Sequence, residues 1–424
     1  MAHDKVQDGP RRRGLSRDVR LLFATRILRL FAYGFVSVVL VLHLTAAGLS
    51  ESQIGLLLTL TLLGDTAISL WITTHADRVG RQRMLLVGAV LMIFAGVLFA
   101  VTRSFALLLL AATIGVISPS GNEVGPFLAV EQAALSEEIP SERRTGIFAW
   151  YNLVGSFATA LGSLCGGALA ELLQGRGLTP LGSYRTVVAG YAVIGAVLAL
   201  IFSRLSQRAE APEAKRAVRQ LPGFGNHLGL SASRTNVLKL AGLFSMDAFA
   251  GGFVVQAFVA YWFQRRFGVS PTVLGGIFFG ANILAGISAL TASRLAKRIG
   301  LLATMVATHI PSNVLLLLVP LMPSLPLAIA VLLLRFSISQ MDVPTRQAYT
   351  MALVSPGERS AAAGVTGIAR TVGAALSPLL AGPLFASAAL ASIPFFLAGG
   401  LKIAYDLLVW RTFRKVKLGE APRT

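Results

Sequence analysis

The chain has 424 residues, 54% of them apolar and only 13% charged, with a mean hydropathy of +0.70. A soluble domain carries about a quarter charged residues, so this chain cannot cover a water-facing surface with charge. A formal net charge of +19 could suit nucleic acid. No basic stripe with interleaved aromatics accompanies it, and that partner is set aside.

A helix of about 20 apolar residues crosses a bilayer. Twelve such runs are predicted, at 22–44, 53–75, 84–102, 105–135, 146–173, 185–203, 236–263, 272–293, 300–321, 325–353, 360–387 and 391–411. The first is too long for a signal-peptide core and lacks a convincing cleavage site, so it is read as a retained helix. Only one polar connection is long, from about Arg204 to Arg234, and it contains Pro212, Pro222, Gly223 and Gly225. It reads as a linker between two six-helix halves. The expected organisation is a tail at 1–20, a bundle at 21–204, a linker at 205–235, a second bundle at 236–412 and a tail at 413–424.

Lys and Arg concentrate in the tails and even-numbered loops, whereas the odd-numbered loops hold only Arg103, Arg176, Arg185, Arg265 and Arg266. By the positive-inside rule both termini are expected in the cytoplasm, with the basic N-terminal tail held near anionic lipid. The compact tails and the lack of a transit peptide suggest a multi-pass protein of a bacterial inner membrane. Cys165 is the single cysteine, so no internal disulfide or cysteine-based metal cluster can form. It is read as a small packing residue.

Asp77-Arg78-Val79-Gly80-Arg81 lies in a short gap between apolar runs, and 216 residues later Ser293-Arg294-Leu295-Ala296-Lys297 fills a similar gap. The same offset carries Pro140-Ser141-Glu142-Arg143 onto Pro356-Gly357-Glu358-Arg359. Two homologous halves in a strongly apolar chain are the plan of a transporter built by duplication, with its ligand near midmembrane where the halves meet.

A charge deep in hydrocarbon is expensive and therefore a functional candidate. Glu123 lies in the fourth span within Ser118-Pro119-Ser120-Gly121-Asn122-Glu123-Val124-Gly125-Pro126, where two prolines and two glycines oppose a regular helix. The tenth span has Gln340-Met341-Asp342-Val343-Pro344-Thr345-Arg346, where Asp342 could pair with Arg346 one turn on. The proton-coupling candidates are Glu123 first, then Asp247, Asp342 and Asp65. The substrate-binding candidates are Arg29, Arg335 and Arg370, with Asn152 and Asn282 as neutral hydrogen-bonding groups. Arg26, Glu131, Lys402 and Asp406 fall nearer span ends, where long side chains reach the interface, so anchoring is expected of them. His309 is expected to be a hydrogen-bonded structural residue.

The loop Thr73-Thr74-His75-Ala76-Asp77-Arg78-Val79-Gly80-Arg81-Gln82-Arg83 resembles the signature G-x-x-x-D-R-x-G-R-R/K of the major facilitator superfamily. Thr73 replaces the leading glycine and Gln82 displaces the last basic residue to Arg83. With twelve spans, a duplication and a long central loop, the resemblance covers essentially the whole chain. It implies an all-α fold of two pseudo-symmetric six-helix bundles, usually a monomer. It also implies that Asp77, Arg78, Gly80 and Arg81 form a gate closing the cytoplasmic face. Gly162-Ser163-Leu164-Cys165-Gly166-Gly167 is similar to the G-P-x-x-G-G element of proton-coupled drug antiporters, with Ser163 in place of the proline. Ordinary helix packing would also account for it.

There is no G-x-x-x-x-G-K-S/T phosphate loop, no G-x-S-x-G elbow and no H-E-x-x-H helix. Neither enzyme chemistry, a metal site nor a cofactor is expected. The expected function is secondary active transport, first as proton-coupled export of a small organic molecule. The alternatives are an organic-anion or phosphate-ester carrier using the central arginines, and a non-transporting membrane sensor or assembly factor.

Overall fold

The computed structural model describes residues 16–123, 125–210, 233–355 and 358–416. The basic residues Arg11 to Arg13, the linker residues Pro212 to Gly225, Pro356 and Gly357, and most of the C-terminal tail lie outside them.

The described chain is helical, without strands. The first three spans are α1 (Arg17–Ser37) with α2 (Leu40–Ala46), α3 (Glu51–Val79) and α4 (Arg81–Val101). The fourth is α5 (Phe105–Ile114) with α6 (Phe127–Glu138), and α7 (Ser141–Gly175) and α8 (Pro180–Phe202) follow. The second half repeats this order. It begins with α9 (Arg234–Gly252) and α10 (Gln256–Phe267), then α11 (Pro271–Ile299) and α12 (Leu301–Leu318). It ends with α13 (Leu325–Phe336) and α14 (Asp342–Leu353), α15 (Arg359–Ala386) and α16 (Ile393–Phe413).

Among the described residues, nine helical segments are long and apolar enough to cross a membrane, or ten when α1 and α2, bent by 44°, count as one. The other two predicted spans, the fourth and tenth, are interrupted. Each begins with an apolar helix of 10 or 12 residues, too short to cross alone. The first, fourth, seventh and tenth spans are thus all broken, and each opens a group of three.

Local sequence fixes the junctions. Ser50 caps α3, its hydroxyl accepting from Gln53 N while the Gln53 side chain accepts from Ser50 N. Ser270 caps α11 in the same way on one side, with Pro271 at the first helical position. Gly80 separates α3 from α4 at φ 114°, and Gly300 separates α11 from α12 at φ 87°. A side chain resists that backbone region, so both halves turn on a glycine at the same place.

Packing follows the duplication. Within the halves α1 lies on α7 and α4 on α8, matched by α9 on α15 and α12 on α16. Between halves α7 crosses α11 and α3 crosses α15. At the end of the molecule away from the termini these crossings are close. A Cβ on Gly167 would stand 2.0 Å from Pro271 O, and one on Gly382 2.3 Å from Glu51 O. Tyr261 donates to Glu51 at 2.8 Å, and Thr272 N donates to Glu171 at 2.9 Å. These bonds join opposite halves and seal that end. At the termini end Arg81 pairs with Asp77 at 2.9 Å, and Asp18 accepts from Ser206. Both contacts stay within the N-terminal half.

Candidate functional site

A cavity of about 520 Å³ lies between the halves at the level of the broken spans. The breaks meet across it, because Ala257 N donates to Pro119 O at 3.0 Å. Backbone groups freed in the fourth and seventh spans therefore satisfy one another, which apolar surroundings demand. The N-terminal half lines the cavity with Asn122, Glu123, Asn152 and Ser156. The C-terminal half contributes Gln256, Asn282, Arg335 and Gln340, with Phe278 and Phe336 as apolar wall. Gln256 is a hub, donating to Ser37 at 2.8 Å and accepting from Asn282 at 3.3 Å.

A buried charge network backs the cavity on the N-terminal side. Arg29 holds Glu131 through two bonds, at 2.6 and 2.7 Å, and reaches Glu123 at 2.9 Å. Arg26 also pairs with Glu123. Thr25 donates to Glu131 at 2.8 Å and Tyr151 donates to it too. Two arginines meet two carboxylates, so the network is neutral with all four ionised.

A second network occupies the C-terminal half around Asp247. Lys402 lies 2.5 Å from it, Arg346 3.1 Å and Arg370 3.2 Å. Arg346 also takes Asp342 at 2.8 Å, the one-turn pair anticipated from the sequence. His309 places Nδ1 2.9 Å from Asp406 and Nε2 3.7 Å from Asp247. Lys402, Arg346 and Arg370 are thus all engaged by carboxylates, and Asp406 is engaged by His309.

Two charged groups stand outside both networks. Arg335 lines the cavity with no carboxylate within 4 Å among the described residues, and its Nε is buried without a hydrogen-bond partner. Its guanidinium lies 5.0 Å from the Phe336 ring centroid. Asp65, on α3, also has no salt bridge among the described residues, and its Oδ1 is buried without a partner. Asp65 is not among the cavity-lining residues.

Of the residues singled out in the sequence, Glu123, Asn152, Asn282 and Arg335 share the cavity. Asp247, Asp342 and Arg370 come together behind it, and Arg29 faces Glu123 and Glu131. The anchoring expected of Arg26, Glu131, Lys402 and Asp406 is corrected. Glu131 and Asp406 are fully enclosed, and Arg26 and Lys402 reach the cavity while bound to carboxylates. Their spacing carried the signal: Arg26 and Arg29, and Lys402 and Asp406, share helix faces at one-turn separation. Cys165 is exposed rather than packed. Within its element, a Cβ on Gly162 would meet Phe31 O at 2.0 Å and one on Gly166 would meet Phe35 O at 2.1 Å. These glycines let α7 lie directly on α1.

Comparison with known proteins follows the same lines. The Major Facilitator Superfamily profile matches residues 22–378. The chain belongs to the Major Facilitator Superfamily. Its membership makes it a transporter rather than an enzyme. The membrane protein YJR124C of Saccharomyces cerevisiae is 32% identical over 422 residues, covering 93% of each chain. The quinolone resistance protein NorA of Staphylococcus aureus is 26% identical over 158 residues, which is 37% of this chain and 39% of NorA. Among solved structures, a bacterial homologue of the human lysosomal transporter Spinster, inward-facing and occupied, superposes with a TM-score of 0.70. It is 18% identical over 95% of this chain and 98% of that one, a likeness of fold.

Proposed function

We propose that this superfamily member is a proton-coupled secondary transporter that exports a small organic molecule by alternating access. The observation that carries this reading is the central cavity, built from both halves and sealed at the end away from the termini. The excess of Lys and Arg at the termini end supports reading that end as the cytoplasmic one, in a plasma membrane. On that reading the seal is the outer one, and the conformation is compatible with the loading state of an exporter. The partial likeness to NorA, a resistance protein by name, favours the same direction. We take the monomer as the functional unit, with halves at 21–204 and 236–412.

Transport requires the outer seal to open and the cytoplasmic side to close by rocking of one half on the other. The loop of Asp77, Arg78, Gly80 and Arg81 sits where that closure occurs, with Arg81 held by Asp77 at 2.9 Å and Arg81 N donating to Glu210 at 2.7 Å. We assign the gate to these residues.

For the proton, Glu123, Asp247 and Asp342 are all committed to cations. Asp65 is not. Its neighbours on the same helix and across from it are Ser69, Tyr33 and Tyr191, none of them a cation. A lone acid in such a place exchanges a proton without breaking an ion pair, so we rank it above Glu123 as carrier.

Inside-out vesicles carrying the protein, with an imposed pH gradient, provide the test. Addition of a transported compound is expected to release protons, and Asp65→Asn should abolish uphill transport while leaving exchange of solute at equal concentrations. Uphill transport that survives Asp65→Asn and is lost in Glu123→Gln moves the proton to Glu123. No flux with any compound favours the non-transporting alternative.

A further inference from the structure

We infer that the cavity recognises a monovalent organic anion with an apolar body, and that Arg335 is the residue that binds its charge. This rests on reading the cavity as the transport site, and it specifies the substrate class of that site. Three independent observations carry it.

The first is charge balance. The N-terminal network holds Arg26 and Arg29 against Glu123 and Glu131. The C-terminal network holds Lys402, Arg346 and Arg370 on Asp247, with Arg346 also on Asp342, while Asp406 is paired with His309. Of the three cationic side chains that line the cavity, Arg26 is taken by Glu123 and Lys402 by Asp247. Arg335 alone among the described lining residues is left over. Asp342, whose charge Arg335 feels at longer range, is already engaged by Arg346. An uncompensated, largely buried guanidinium is costly, and a ligand carboxylate would remove that cost by a charge-assisted pair.

The second is the unsatisfied donor. Arg335 Nε is buried with no acceptor. Buried N–H groups without partners are rare in native proteins, so a guanidinium left this way at a cavity wall is under-satisfied and would gain from an arriving acceptor. A guanidinium edge presents parallel donors that match a carboxylate's two oxygens.

The third is the makeup of the lining. Arg335 stands against Phe336, and Leu332, Leu316 and Phe278 also line the cavity. The rest of the lining is rich in neutral amide and hydroxyl groups, including Asn122, Asn152, Ser156 and Asn282. An apolar body would lie against the former, while the latter hydrogen-bond its polar substituents without adding charge. One free cation accommodates one negative charge. A phosphate monoester dianion would need a second free cation, which the described lining does not offer. A lipophilic cation would face Arg335 unshielded.

The test is equilibrium binding to the purified full-length protein in detergent, read as ligand-induced thermal stabilisation without any pH gradient. The probes share one ring system: 2-naphthoate, neutral 2-naphthamide, the dianion 2-naphthyl phosphate and the cation trimethyl(2-naphthyl)ammonium. The inference expects 2-naphthoate to bind best, and Arg335→Gln to weaken it about tenfold or more while leaving 2-naphthamide unchanged. Arg335→Lys, which keeps the charge but not the fork, should recover part of the affinity. Equal or tighter binding of the cation or the neutral amide to the wild type overturns the inference. So does 2-naphthoate affinity that is unchanged in Arg335→Gln, or no stabilisation by 2-naphthoate. If Arg335→Gln fails to fold, Arg335→Lys with the same four probes decides: a preference for the anion over the amide that is reduced but retained supports the inference, and an unchanged one overturns it. Binding without proton-driven flux would refute the coupling mechanism and leave the anion site standing.

Discussion

At the scale of single residues, burial decides what a charge does. Glu131 is enclosed and takes four hydrogen bonds, from Arg29, Thr25 and Tyr151. Removing one partner of such a pair leaves the other charge buried and costs about 3–5 kcal/mol. Glu131→Ala is therefore expected to lower the thermal midpoint in detergent sharply, whereas Arg83→Ala, at an exposed position, should change it little. Asp247 is the keystone of the second network, because Lys402, Arg346 and Arg370 all converge on it. Asp247→Asn should leave three cations sharing an amide and reduce the yield of folded protein. Unchanged melting of Asp247→Asn would show that the cations find other partners.

The elements carry a different constraint, that of close approach. The crossing of α7 and α11 depends on Gly167, since a Cβ there would stand 2.0 Å from Pro271 O. Backbone cannot yield as a flexible side chain can. Gly167→Leu is expected to hold the outer seal apart, making residues near Pro271 reactive to a membrane-impermeant thiol reagent. A Thr272→Cys reporter in a Cys165→Ser background checks this, and the exposed Cys165 must be removed first. Labelling no faster than in the parent with Gly167 would mean that α7 slides without opening the seal. The glycine element of α7 thus has a packing role that stands whatever the direction of transport.

For the whole molecule, the pseudo-symmetric exchange of partners defines the motion. α3 crosses α15 while α7 crosses α11, so both inter-half seams open or close together when the halves rock. Spin labels at Arg83→Cys and Arg294→Cys, both exposed at the termini end, report the distance across the proposed cytoplasmic opening. That distance should shorten when a transported compound and a proton are both supplied. A distance indifferent to both would argue against rocking and for a static scaffold.

Composition and hydropathy were enough to read a helical membrane protein from this chain. An offset of 216 residues linked its two halves, and the Asp77 to Arg81 loop carried the superfamily resemblance. These are local or one-dimensional properties: apolar length, glycine at a required turn, and repetition. The breaks in the fourth and tenth spans were also foreshadowed, by Pro119, Pro126 and the Asp342-to-Pro344 stretch. Apart from the one-turn pair of Asp342 and Arg346, which charges neutralise which was not legible. Arg29 and Glu131 are 102 positions apart, and Lys402 and Asp247 are 155 apart. Hydropathy assigned Glu131 and Lys402 to span ends because it measures depth along one helix and ignores the face turned toward a neighbour. Only the packed bundle could pair those charges, and in pairing them it left Arg335 and Asp65 over.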